Sequence, residues 1–170
     1  QIMHLSSTSL NKKSVIRRRQ ILIGSVILAL SAWMIGYFSS TSDVIPVIPE
    51  IIPGAARVEP QGNIYIGYDI SGEIIGYAAI GKSQGYAGPI EMLVGIDLQG
   101  NITGVKVLAQ RETPGFFKLI LKAGFPEQLV NHSLRDPLQL NNDLDAVSGA
   151  TVSAEGIAAS TRQAVRLIAQ

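Results

Sequence analysis

Residues 63–109 read NIYIGYDISGEIIGYAAIGKSQGYAGPIEMLVGIDLQGNITGVKVLA, and this stretch decides the fold. Ile64–Ile70 and Glu73–Ile80 are runs rich in Ile and Tyr on either side of Ser71-Gly72. That pair favours a tight reversal, so the two runs predict a β-hairpin. Ile90–Leu98 and Ile102–Ala109 repeat the arrangement around Gln99-Gly100-Asn101. In the last run Ile102, Val105 and Val107 alternate imperfectly, and Gly104 suggests a bulge. Between the hairpins, Gly81–Gly88 reads as a glycine-rich loop.

Downstream the period changes. Phe116–Ala123 predicts a short helix stopped by Gly124 and Pro126, with another turn over Glu127–Asn131. Residues 133–147 read as irregular, with a strand or turn around Pro137–Leu140. From Ser153 to Ala169, Ile157, Thr161, Ala164, Val165 and Ile168 recur on one helical face, with Arg162 and Arg166 outside. Hairpins followed by separate helices indicate an α+β domain, antiparallel hairpins packed against helices.

Composition narrows the chemistry. The chain has 170 residues and a net charge of +1, which gives no electrostatic case for nucleic acid. It contains no cysteine, which excludes disulfides, iron–sulfur ligation and thiolate chemistry. Its two histidines, His4 and His132, are too few for a His-rich metal site. Redox chemistry here would need an organic cofactor.

Much of the 46% apolar content sits in Ile21–Phe38, ILIGSVILALSAWMIGYF, which has no charge. At about 1.5 Å per residue such a helix spans about 27 Å, close to a bilayer core. Lys12, Lys13, Arg17, Arg18 and Arg19 precede it, and the next basic residue is Arg57. The positive-inside rule therefore predicts a cytoplasmic N-terminus and an extracytoplasmic remainder. No A-x-A site follows the run, so it reads as an uncleaved anchor rather than a signal peptide. The expected division is a basic tail over 1–20, a single transmembrane helix over 21–38, a Pro-rich linker over 39–62 and a folded domain over 63–170.

The stretch with the most chemical content is Asp145-Ala-Val-Ser-Gly-Ala-Thr151, then Val152 and Ser153. Ser148-Gly149-Ala150 permits a tight turn into the last helix, whose N-terminal amides and dipole favour an anion. A phosphate there would meet the hydroxyls of Ser148, Thr151 and Ser153. Read from these residues alone, the first expectation is plainer: Thr151 or Ser153 caps the helix. No base adjoins Thr151 to make it a nucleophile.

D-x-x-S-G-A-T resembles the flavinylation motif of the FMN-binding domain of RnfG and NqrC subunits, which belong to ion-translocating electron-transport complexes. The resemblance implies that Thr151 carries FMN covalently through a phosphoester and that Ser148, Gly149 and Ala150 shape its loop. It implies that Asp145 is read by a flavin transferase that uses FAD and magnesium, so Thr151 needs no base of its own. Gly85-Tyr-Ala-Gly-Pro-Ile90 and the hairpin after it resemble the family's glycine-rich turn. They lead to Glu112-Thr-Pro-Gly115, similar to the family's E-T-P-G motif near the flavin. There Pro114-Gly115 is a turn that lets backbone approach a planar ring. Thr113 would bond the ring edge and Glu112 would orient the loop. The family pattern often has His before the glutamate and Leu-Gly after the motif, where this chain has Gln110 and Phe116-Phe117. The Phe pair would pack on the flavin or meet a partner.

The expected function is a membrane-anchored electron-transfer subunit carrying covalent FMN. It would serve an Rnf-like ferredoxin:NAD oxidoreductase or an Nqr-like complex in the cytoplasmic membrane, with the domain periplasmic or otherwise extracytoplasmic. Its partners would be the other membrane subunits and the transferase, and it would be a redox carrier rather than a stand-alone enzyme. The alternatives are a lone anchored flavoprotein serving an extracytoplasmic reductase and a flavin-free anchored binding module. A Ser133-His132-Asp136 triad fails for want of a nucleophile elbow, and Asp143 with Asp145 reads as a solvated loop.

Overall fold

The computed structural model describes residues 44–170. The predicted tail, transmembrane helix and first part of the linker lie outside the described residues. Among the described residues no helix is long and apolar enough to cross a membrane.

The compact unit Ile45–Gln170 is built on one antiparallel sheet. Its strands are β1 (Arg57–Gln61), β2 (Ile64–Tyr68), β3 (Ile74–Gln84), β4 (Pro89–Asp97) and β5 (Ile102–Gln110), and each pairs with the next in sequence. Both expected hairpins are present, with Tyr65 opposite Ala78 and Val94 opposite Val105. The second ladder shifts register where Gly95 faces Gly104 and Ile96 faces Ile102, leaving Thr103 as the extra residue. Three helices follow β5: α2 (Pro114–Lys122), α3 (Phe125–Gln128) and α4 (Thr151–Ile168).

Three sequence expectations need correction. The stretch read as an extended linker is structured from Ile45 on: a 3-10 turn (Ile45–Val47) leads into one helical turn, α1 (Ile48–Ile51). Pro49 suits it because the first turn of a helix needs no amide donor there. Strand β1 was hidden by its polar sequence RVEPQ. As an edge strand it tolerates Pro60, which stands opposite Tyr65. The glycine-rich loop is shorter than expected, because β3 runs through Gly81 to Gln84 and leaves a turn closed by Gly85 N–H donating to Gly88 O at 2.8 Å.

Helix α4 lies on one face of the sheet, across β3 and β4. Ile157, Ala158, Ala154 and Ala164 are buried there against Ala79, Ile90, Met92, Val94 and Ile96. Each large aliphatic side chain so buried contributes about 1.5–3 kcal/mol. Small residues set the spacing. A Cβ on Gly81 would stand 1.8 Å from the Ser160 carbonyl, and one on Gly156 would stand 2.9 Å from Gly85 Cα. The Ser160 hydroxyl, fully buried, lies 2.9 Å from Ile90 O and 2.8 Å from Gly156 O. Arg162, expected on the outer side, is half-buried. It donates to Leu138 O at 2.5 Å and pairs with Glu155, pinning the irregular 133–147 segment to the helix.

On the opposite face α1 docks in a shallow trough of glycines. Gly67 faces Gly76, and Gly95 faces Gly104. A Cβ on Gly104 would meet Ile51 Cα at 2.8 Å, and one on Gly95 would meet Ile51 O at 2.6 Å. Ile48, Ile51 and Ile52 are buried as a result. Thr103 Oγ1 donates to Ile51 O at 2.5 Å and Lys106 pairs with Glu50 at 2.6 Å, fixing the segment laterally. The sheet is thus clamped on both faces at backbone contact distance.

Candidate functional site

The meander places the β3–β4 turn and the end of β5 at the same end of the sheet, and α4 starts beside them. Two stretches 33 residues apart in sequence, Glu112–Gly115 and Ser148–Thr151, therefore become neighbours. The link is one buried carboxylate. Glu112 is only 6% exposed and accepts the Ser153 hydroxyl, together with the amides of Ala87 at 3.0 Å and Gly88 at 3.3 Å. Burial pushes this carboxyl up. Hydrogen bonds from Ser153, Ala87, Gly88 and Tyr86 outweigh burial and hold it below the ordinary glutamate range. Gly85 leaves room for it, since a Cβ there would meet Glu112 Oε1 at 2.5 Å.

Helix α4 begins at Thr151, two residues earlier than its apolar pattern predicts. Ala150 is the N-cap and makes no side-chain cap, and the first turn holds no acid. Neither Thr151 nor Ser153 therefore plays the capping role that the residues alone suggest. Ser153 is buried with its hydroxyl given to Glu112, so it does not offer that group to a phosphate. Thr151 is exposed, and its Oγ1 makes only a 3.3 Å contact to Val147 O. Gly149, at φ 78°, adopts the left-handed conformation that turns the chain into the helix.

A cavity of about 310 Å³ opens at this helix start, lined by Tyr86, Phe116, Gly149, Ala150, Thr151, Val152 and Ser153. It lies at the low end of small-molecule sites, which run from about 300 to 1,000 Å³. Tyr86 and Phe116 stand edge to face, with centroids 6.1 Å apart at 82°, and are 64% and 40% exposed. Two exposed rings and Val152 give the cavity an apolar wall. The uncapped amides at the start of α4 and the Thr151 hydroxyl give it a polar edge suited to an anion. A flat heterocycle carrying a phosphate, as FMN is, is the kind of group that suits an apolar wall beside a polar edge.

The site residues expected from sequence divide accordingly. Gly149, Ala150, Thr151 and Ser153 line the cavity, whereas exposed Ser148 does not. Glu112 stands behind the wall as its fastener. Thr113, Pro114 and Gly115 start helix α2, exposed and outside the lining. Asp145 is exposed on the approaching loop, its amide donating to Gln128 Oε1 at 2.8 Å. Tyr86 was missed. Its signal was its place as the one bulky side chain in Gly85-Tyr-Ala-Gly88. His132 and Asp136 form a local turn, Nδ1 to Oδ2 at 3.0 Å, and Asp143 accepts the amides of Leu138 and Gln139. Among the described residues no cluster of His, Asp or Glu could hold a metal.

Comparison with known proteins bears on the same region. A family model described as FMN-binding domain matches residues 85–166. The chain is 35% identical over 131 residues to the G subunit of the ion-translocating oxidoreductase complex of Methanosarcina acetivorans, covering 68% of this chain and 70% of that protein. It is 29% identical over 136 residues to the G subunit of the Na(+)-translocating ferredoxin:NAD(+) oxidoreductase complex of Acetobacterium woodii, covering 74% of this chain and 63% of that one. Among solved structures, NqrC of Shewanella oneidensis aligns with a TM-score of 0.49 and 19% identity over 64% of each chain.

Proposed function

This chain belongs to the family formed by the G subunits of ion-translocating oxidoreductase complexes, and from that premise we propose that it is the FMN-bearing electron carrier of such a complex, with the flavin phosphate esterified to Thr151 Oγ1. The observation that carries the reading is the position of that hydroxyl. It is exposed at the uncapped start of a helix and lines a cavity walled by two aromatic rings.

When bound, FMN supplies one- and two-electron transfer. The protein supplies the rest. Thr151 fixes the phosphate end, so the cofactor stays in place whatever its intrinsic affinity. The first amides of α4 meet the remaining phosphate charge. Tyr86 and Phe116 offer faces and edges to the ring, and Val152 closes the apolar side. Glu112 joins the Tyr86 turn to Ser153 and thereby holds the aromatic wall at a set distance from Thr151. With no base beside Thr151, ester formation belongs to a separate flavin transferase that breaks the pyrophosphate of FAD, joins the FMN phosphate to Thr151 Oγ1 and releases AMP and a proton; exposed Asp145 and its loop are its recognition element. We place the domain outside the cytoplasm, tethered by the apolar segment 21–38, where partner membrane subunits exchange electrons with it.

Thr151→Val tests the assignment, because it removes the one oxygen of the bond and keeps the shape. Protein made alongside the transferase is read by ultraviolet fluorescence in a denaturing gel and by intact mass. The expected result is complete loss of covalent flavin with an unchanged circular dichroism spectrum. A fluorescent band in the variant refutes the linkage.

A further inference from the structure

Helix α2 hides little of itself. Of its nine residues only Ile120 is fully buried, while Phe116, Leu119 and Leu121 are 40%, 43% and 51% exposed. At 3.6 residues per turn, Lys118 and Lys122 fall together in the middle of the face opposite Ile120. Leu119 flanks them on one side and Leu121 on the other. Leu119 Cδ1 comes within 3.8 Å of where a Gly149 Cβ would stand, so that flank adjoins the cavity's own loop.

Cations outnumber acids on this surface, where exposed Glu127 stands at the rim beside Leu121 and Phe117. Arg111, Lys118 and Lys122 are all exposed, and the one acid between 111 and 122, Glu112, is buried and hydrogen-bonded. Elsewhere among the described residues Arg57, Lys82, Lys106 and Arg162 each hold a carboxylate at 2.5–2.9 Å, while exposed Arg135 and Arg166 do not. None of the three cations on this surface does. Exposed apolar side chains interleaved with unpaired cations make a surface that lacks its complement.

We propose that α2 docks a protein partner whose facing surface sets carboxylates among apolar side chains, beside the mouth of the Thr151 cavity. A lipid surface fits less well. Interfacial helices immerse an apolar face, whereas here two lysines occupy the middle of the outward face. Immersing that face would strip water from both ammonium groups. The use of the surface rests on the flavin reading, since a partner seated there lies next to the ring. Its existence does not, and the test separates the two.

A photo-crosslinking residue is placed at Leu121 in the full chain, within the assembled complex in its own membranes, with either Thr151 or Thr151→Val. The expected result is one adduct of defined protein mass in both backgrounds. Lys118→Glu with Lys122→Glu lowers its yield about fivefold or more at low salt, the effect of replacing attraction by repulsion. That difference closes near 1 M salt, where the screening length is about 3 Å. Arg135→Glu with Arg166→Glu leaves the yield unchanged. Absence of a protein adduct in either background, an adduct of lipid mass only, or indifference to the charge reversal overturns the proposal.

Discussion

Replacing Glu112 by Gln keeps the volume of the side chain and removes only its charge. Three hydrogen bonds then change class, those from Ser153 and from the amides of Ala87 and Gly88. A hydrogen bond to a charged group contributes about 1.5–3 kcal/mol and a neutral one about 0.5–1.5, so the loss is about 1 kcal/mol each. Against this, the variant no longer buries a charge, which burial opposes at this position. The net expectation is a loss of about 1–2 kcal/mol near neutral pH, or about 3–8 °C in melting temperature for a unit of this size. The sign of the pH dependence is fixed. The folded pKa lies below the unfolded one, so the carboxylate's contribution is complete above the ordinary glutamate range and is lost as pH falls through the folded value. Melting curves of wild type and variant, read by near-ultraviolet circular dichroism, should differ at pH 7 and converge in acid. Equal melting at pH 7, or a gap that persists after the wild-type carboxyl is protonated, would refute the claim that an ionised Glu112 fastens the turn to α4.

Gly81→Ala should be among the most damaging substitutions in the sheet, because its Cβ would meet helix backbone at Ser160 rather than a movable side chain. A loss of about 3 kcal/mol or more is expected, at the top of the overpacking range, and a melt within a degree or so of wild type would be incompatible with the packing described. Asp145→Ala should lower flavin loading in the presence of the transferase while leaving the melting temperature unchanged, since only its backbone is engaged. Full loading would rule out recognition of that carboxylate. Tyr86→Leu should leave the covalent flavin band in a denaturing gel intact yet brighten the flavin severalfold in the native protein, because a tyrosine ring beside a flavin quenches it. Unchanged native fluorescence would place the ring elsewhere.

The parts of the fold that read well from sequence are those where local chemistry and tertiary role agree. Ser71-Gly72 turns between two apolar runs, and the last helix carries its buried stripe at the right period. Apart from β1, a polar edge strand with no strand pattern to read, the failures have one cause in common, a long-range contact overriding the local signal. Residues 45–52, with three prolines nearby, look like linker until the glycines of four strands are seen to make a trough for Ile48, Ile51 and Ile52. Gly81 looks like loop, yet it is strand made thin for α4. The site divides in the same way. Gly149, Ala150 and Thr151 were legible because a turn-to-helix signature is contiguous. Phe116 reads from sequence as a ring that packs on a flavin or meets a partner, with no choice between the two, and Tyr86 does not read as a site residue, because only the sheet's register brings residues 30 apart in sequence to one cavity wall.

A covalent tether constrains one end of a cofactor and leaves the other free to swing. If Thr151 holds the phosphate, the ring's orientation must come from the wall that Tyr86 and Phe116 make, and electron transfer depends on that orientation more than on the bond. The wall itself is two exposed side chains, one on a four-residue turn and one on the first turn of a short helix. Neither side chain is itself buried in the core. Glu112 is the residue placed to correct this, since it stands directly before α2 while gripping both the Tyr86 turn and the start of α4. A buried carboxylate is a costly fastener, and an apolar residue would serve packing as well. What an apolar residue lacks is direction: with one oxygen on the amides of the turn and the other on the Ser153 hydroxyl, the carboxylate fixes the turn and the helix start at one angle to each other. The acid before Thr113-Pro114-Gly115 therefore belongs to the geometry of the aromatic wall, although it lies outside the cavity lining.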